Sequence, residues 1–244
     1  MKPRVAVFAF TSCEGCSLII LNLEEKILDL LGAVDVVNWR EAIDEKSDEF
    51  DVAIIDGTVT RAHEVEELKH IRERAKVLIA IGACAVQGGV YALKNYHDLG
   101  VAVETVYGKG ADVETLPVKP LSEYVKVDYN VYGCPINKPE LVEVVTSALL
   151  GRKANIPDYP MCNECRTKGN VCVFEKGLTC MGPVTRAGCG ALCPTFGSGC
   201  DACRGLVTDP PLDQYRAIML EHGVPSDEAI NRLRIFNGYW AEKK

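Results

Sequence analysis

No apolar run in this 244-residue chain reaches the about 18 residues that would span a bilayer. The excess of basic charge that marks partners of nucleic acid or anionic membranes is also missing. Lys and Arg number 27 against 34 Asp and Glu, for a net charge of -7. Histidine is scarce. His63, His70, His97 and His222 share no metal-like spacing, which leaves them as surface residues. There is no Gly-x-Gly-x-x-Gly or Walker motif, so nucleotide binding is not expected on this chain. The stretch "GLTCMGPVTRAGCGALCPTFGSGCDAC" (177–203) has almost no large hydrophobics and is not expected to build a packed core by itself.

What the chain has is cysteine, twelve in all. The apolar stretch in "MKPRVAVFAFTSCEGC" is too brief for a signal peptide and reads as a strand. A disulfide-rich secreted protein is therefore disfavoured, and metal binding or redox chemistry is the better account of the thiols.

Two regions follow different logic. Residues 1–151 alternate strand and helix. The strands read as 4–10, 34–38, 51–57, 77–82 and 127–133. The helices read as 17–32, capped by Ser17 and stopped by Gly32, then 63–76 and 138–151. This alternation predicts an α/β fold: a doubly wound parallel sheet with right-handed crossovers, in flavodoxin-like order. Residues 152–244 read as a loop-rich domain. It is rich in Gly, Pro and Cys to about 210, with short helices at 211–222 and 226–236, the second capped by Ser226.

Cys13 and Cys16 follow strand one, Cys84 follows strand four and Cys134 follows strand five. In an open parallel sheet, ligands sit beyond the carboxyl ends of the strands. Three strand ends would thus deliver four thiols to one edge. Glycines in "CEGC" and "GACAVQGG" let backbone N–H groups approach cluster sulfurs, and "GCP" (133–135) has the Cys-Pro of ferredoxin-type runs. The other eight cysteines are Cys162, Cys165, Cys172, Cys180, Cys189, Cys193, Cys200 and Cys203. Two further four-thiolate sites would cross-link a coil that lacks a core. Zinc is the alternative ion, but C-x2-C-x6-C-x7-C is not the paired-CxxC pattern of a zinc ribbon.

With "CEGC", "GACAVQGG", "YGCPINKPEL" and the eight-cysteine tail, the chain resembles, over nearly its whole length, the small electron-transferring subunit of [NiFe] hydrogenases. The likeness is strongest to the delta subunit of cytoplasmic archaeal, NAD(P)-linked sulfhydrogenases. The resemblance implies three [4Fe-4S] clusters. Cys13, Cys16, Cys84 and Cys134 would hold the proximal one, Cys189, Cys193, Cys200 and Cys203 the medial one, and Cys162, Cys165, Cys172 and Cys180 the distal one. Exported members begin the distal site with histidine, where this chain has Cys162. They have proline where this chain has Cys193, and hold a three-iron cluster there; a thiolate implies four irons. The resemblance further implies no catalytic residue on this chain. Its partners would be a nickel-bearing large (alpha) subunit, an iron–sulfur (beta) subunit and a flavin, NAD(P)-binding (gamma) subunit. Exported members carry a twin-arginine leader that is not seen here, so a cytoplasmic location is expected. The acceptor would be NAD(P) or sulfur, or another carrier in an F420-non-reducing type of enzyme.

Other readings fit less well. An FMN-binding carrier needs a Ser/Thr/Gly phosphate cradle after strand one, where this chain has CEGC. Complex I-like cluster subunits have adjacent cysteines and no eight-cysteine tail. Glu14 reads as an exposed loop carboxylate before a proton relay. The run 41–50 reads as a solvated connector, and "IFNGYW" (235–240) as an apolar tail that either folds back or serves an interface.

Overall fold

The computed structural model describes residues 2–243, leaving aside the side chains of Ser226, Ala229, Ile230 and 241–243. Five parallel strands form one sheet: β1 (Arg4–Ala9), β2 (Asp35–Trp39), β3 (Val52–Asp56), β4 (Val77–Ile81) and β5 (Tyr129–Val131). Their order, β2-β1-β3-β4-β5, is the flavodoxin-like one. Residues Ala9, Asp56 and Ile81 are in register across the sheet, and Ile81 pairs with Val131, so four strands end at one level.

The strands bury both faces because successive side chains point to opposite sides. Val5, Val7, Val52, Ile54, Ile79 and Ile81 pack under α1 (Gly15–Leu21), α2 (Glu25–Ala33) and α6 (Lys138–Leu149). Ala6, Ala53, Ile55, Leu78 and Ala80 pack against α3 (Ala62–Arg74) and Leu121 on the other face. Burying each Ile or Leu side chain contributes about 1.5–3 kcal/mol.

The expected helix 17–32 is two helices. The chain turns at Glu24, at φ 59, and Leu23 drops into the core below the sheet. Ser17 is not a cap. It lies buried within α1, which starts at a left-handed Glu14, and its N–H donates to Asp56. Gly32 does not stop α2, which runs to Ala33. Between β4 and β5 the chain forms α4 (Gly82–Gln87), a 3-10 stretch (Gly89–Tyr96) and α5 (Leu99–Tyr107), none of which the sequence pattern announces.

The tail carries α7 (Cys162–Thr167), α8 (Leu192–Thr195), α9 (Leu212–Glu221) and α10 (Ser226–Lys243). Ser226 as a cap falls outside the described side chains. α10 runs past 236 and is irregular at Asn237, which is buried and donates to Ala202 O at 3.1 Å. The tail also has a small core: Met181, Val184, Ala191, Cys180 and Cys200 pack with Met161, Phe174, Tyr215 and Met219. The glycine-rich stretch therefore does contribute to a packed cluster, because flanking segments supply the large side chains. "IFNGYW" folds back on the sheet region. Gly238 O accepts from the Tyr96 hydroxyl at 2.5 Å, and Phe236 O accepts from Gln87 at 3.1 Å. No helix among the described residues is long and apolar enough to cross a membrane.

Candidate metal centres

The common strand level brings the loops after β1, β4 and β5 together, and with them Cys13, Cys16, Cys84 and Cys134. Cys16 and Cys84 are the deeper members; Cys13 and Cys134 are exposed. Burial pushes the Cys84 thiol up to about 12, with further upward pressure from Cys134, Asp56 and Cys13. Burial, Asp56, Cys84 and Cys134 all raise Cys16, while the Ile136 N–H lowers it. Burial, Cys13 and Asp56 raise Cys134. The four thiols are thus within electrostatic reach of one another.

Three glycines leave the space beside these sulfurs. A Cβ on Gly15 would lie 3.3 Å from Cys13 Sγ, and one on Gly89 would lie 3.1 Å from Cys84 Sγ. A Cβ on Gly82 would run into Cys16 Sγ, and Gly82 sits at φ +80, where only glycine is comfortable.

Asp56, at the end of β3, occupies the middle of this edge. Its carboxyl accepts from Ser17 N at 3.1 Å. Burial drives it up to about 6, and Glu41 adds to that, against N–H bonds from Ser17 and Gly57. Sequence reading passed over Asp56. The signal was there, as a lone carboxylate ending an apolar strand (51–57) that shares the ligand edge.

In the tail, Cys162 and Cys165 lie on α7, Cys172 is exposed in the following loop, and Cys180 is buried. Burial raises Cys162 to about 12, and Cys180, Cys165 and Cys172 add to it. The Cys180 sulfur accepts from Gly182 N at 3.4 Å and from Cys200 N at 3.3 Å. A Cβ on Gly182 would stand 3.2 Å from Cys162 Sγ and 3.3 Å from Cys180 Sγ.

The remaining four are Cys189, Cys193, Cys200 and Cys203. Partial desolvation and Cys189 raise Cys193, which stays largely open to solvent. Burial raises Cys203 to about 11; the Cys134 N–H opposes this, and Cys189, Cys134 and Cys193 reinforce it. Burial raises Cys200 further still, with Cys180 and Cys203 as neighbours. Two residues of this group therefore face the other groups: Cys203 is within electrostatic reach of Cys134, and the Cys200 N–H bonds to Cys180 Sγ.

Crowded, buried thiols resist ionisation unless a positive centre joins them. Among the described residues no three His, Cys, Asp or Glu side chains converge as they would on one metal ion. Such thiols could hold a multi-iron sulfide core. The all-cysteine donors, the glycine gaps and the N–H groups aimed at sulfur fit that group.

The other sequence candidates stay outside these groups. Glu14 is a surface residue in ion pair with Arg40. His70 lies beside Glu73, and His222 stacks on Phe174 with ring centroids 4.9 Å apart. His63 and His97 are exposed, as is most of 41–50.

Comparison with known proteins places the chain in a family. Residues 13–148 match the family model described as NADH ubiquinone oxidoreductase, 20 Kd subunit. The chain is 38% identical to sulfhydrogenase 2 subunit delta of Pyrococcus furiosus, covering 96% of this chain and 98% of that protein. It is 35% identical to a subunit of the F420-non-reducing hydrogenase vhu of Methanococcus voltae, over 98% of this chain and 95% of the relative. Among solved structures, an NAD+-reducing [NiFe]-hydrogenase in the H2-reduced state aligns with TM-score 0.57 and 29% identity. That match covers 64% of this chain and 96% of the other. The chain belongs to the family of the NADH ubiquinone oxidoreductase 20 Kd subunit and, within it, is a small subunit of the [NiFe] hydrogenase type, a component of an oxidoreductase complex.

Proposed function

We propose that this small subunit carries electrons through three [4Fe-4S] clusters, one held by residues 1–151 and two by 152–244. Cys13, Cys16, Cys84 and Cys134 hold the proximal cluster. Cys189, Cys193, Cys200 and Cys203 hold the medial cluster, and Cys162, Cys165, Cys172 and Cys180 the distal one. When bound, such a cluster takes up and gives back single electrons at a potential set by its charge, hydrogen bonds and exposure.

The observation that carries this reading is the order of contacts between the groups. Arg204, next to Cys203, donates to the carbonyl of Tyr132, two residues before Cys134, at 3.1 Å, and the Cys200 N–H bonds to Cys180 Sγ at 3.3 Å. The Cys189 group is therefore the middle of a line from the sheet edge to α7. Exposed Cys13 and Cys134 put one end of that line at the surface, where a large subunit with the nickel–iron site would sit. Exposed Cys172 brings the other end to the surface, towards an iron–sulfur (beta) or flavin (gamma) partner. The four thiolates at the middle site favour a low potential, suited to NAD(P) or sulfur as final acceptor in the cytoplasm. The likeness to a component of an F420-non-reducing hydrogenase supports a second reading, in which the electrons go to another carrier.

Produced alone, the chain should neither take up nor evolve H2, and activity should appear only when a nickel-bearing large subunit is co-produced. Turnover by the nickel-free chain would refute this division of labour. Feeding the complex NAD, NADP and sulfur in parallel identifies the acceptor.

A further inference from the structure

Between the sheet-edge thiols and the Cys189 group lies a buried ion pair that belongs to neither ligand set. Arg204 directly follows Cys203, and Glu140 lies in the first turn of α6. Their side chains are 2% and 5% exposed. The guanidinium uses all three nitrogens. Nε donates to Ala187 O at 2.8 Å, Nη1 donates to Tyr132 O at 3.1 Å, and Nη2 donates to Glu140 Oε2. The other Glu140 oxygen accepts from Tyr132 N at 2.7 Å.

The addresses of these partners matter. Tyr132 stands two residues before Cys134, and Ala187 stands two residues before Cys189. One planar group thus ties the loop with a sheet-edge ligand to two tail segments with ligands of the neighbouring set. The surroundings are built to admit it. A Cβ on Gly188, at φ +117, would run into the guanidinium. Arg186 lies over the Tyr132 ring at 4.5 Å, so tail arginines hold the same tyrosine at both backbone and ring.

A buried ion pair is a weak source of stability, because desolvation offsets most of the attraction. What a guanidinium fork supplies is fixed geometry: several acceptors held at once in one plane. We propose that Arg204, held by Glu140, is a positioning residue that sets the separation between the sheet-edge set and the Cys189 set. Through that separation it sets the rate at which electrons pass between them. The inference rests on the cluster assignment above. The step it governs moves one electron, with no bond made or broken and no proton transferred. The centre ligated by Cys134 is oxidised as the centre ligated by Cys203 is reduced. Rates of such transfers fall exponentially with distance, so a small displacement at this junction is amplified.

The test uses the native complex, purified without oxygen, as wild type, Arg204→Lys and Glu140→Gln. Lysine keeps the charge but cannot reach Ala187 O, Tyr132 O and Glu140 together. Three quantities are read: iron, labile sulfide, and the electron paramagnetic resonance splitting that neighbouring reduced clusters impose on each other. Arg204→Lys should keep full iron and sulfide, change the splitting and slow reduction of the tail clusters by H2. Glu140→Gln should do the same to a smaller degree. Unchanged splitting and rate in both variants at full iron would overturn the proposal. Should Arg204→Lys lose tail iron, Glu140→Gln decides by the same criterion. Absence of labile sulfide from the wild type would instead overturn the cluster assignment, and this inference with it.

Discussion

In the sheet, four thiols arrive from three strand ends, and the core that carries those strands takes in Cys16 but not Cys13, Cys84 or Cys134. Val7, Ile54, Ile79, Ile55 and Leu78 pack into two apolar layers whose members are almost all hydrocarbon. In the tail, eight thiols arrive from loops and very short helices, and the apolar cluster of described residues there includes Cys180 and Cys200 themselves, with Cys165 and Cys189 packed against it. On the proposed assignment the sheet would keep its shape without a cluster, while the tail would rely on cluster cross-links to hold its loops. A fold can therefore present the same donor set as cargo in one place and as structure in another.

The largest expected effect tests that contrast. Removing iron from the purified chain should expose the backbone amides of 157–207 to rapid hydrogen exchange, while β1, β3 and β4 stay protected. Equal loss of protection in both regions would erase the distinction.

Cys84→Ala should be narrower. It removes the proposed ligand on α4 and should eliminate one of three cluster signals, about a third of the iron, with the tail signals intact. A variant with three undiminished signals would show that Cys84 is no ligand.

The two regions also differed in how much of them the sequence disclosed. Parallel strands beside apolar helices leave a periodic trace, so the sheet and its strand order were legible, and the rule of carboxyl-edge ligands pointed to Cys13, Cys16, Cys84 and Cys134. The break at Glu24 was not legible. It depends on Leu23 finding a pocket under the sheet, a contact made by distant residues. Asp56, Glu140 and Arg204 escaped for the same reason. Each is an ordinary charged residue until Ser17, Tyr132 and Ala187 are folded against it. In the tail, spacing marked eight cysteines as candidate ligands, but their division rested on resemblance, because loops carry no periodicity.

The smallest effect concerns the sheet alone, at the edge opposite its thiols. Asp128 accepts from Leu78 N at 2.9 Å and pairs with Arg72 at 2.5 Å. Partial burial pushes its carboxyl up, but the Leu78 N–H, Arg72 and Lys126 outweigh that and hold it below the ordinary range. A lowered carboxyl contributes stability that is fully present above the unfolded value of about 3.9 and fades as pH falls through the folded value. Asp128→Asn should cost about 1–3 kcal/mol near neutral pH. In denaturant titrations the gap from wild type should shrink below about pH 4. A gap independent of pH would mean that the carboxylate charge is not what holds this edge.

The central claim, three four-thiolate iron–sulfur sites on one chain, is tested most directly by elemental and sulfide analysis of protein purified without oxygen. Three such sites predict about 12 iron and about 12 acid-labile sulfide per chain. Substantial zinc with no labile sulfide would contradict it.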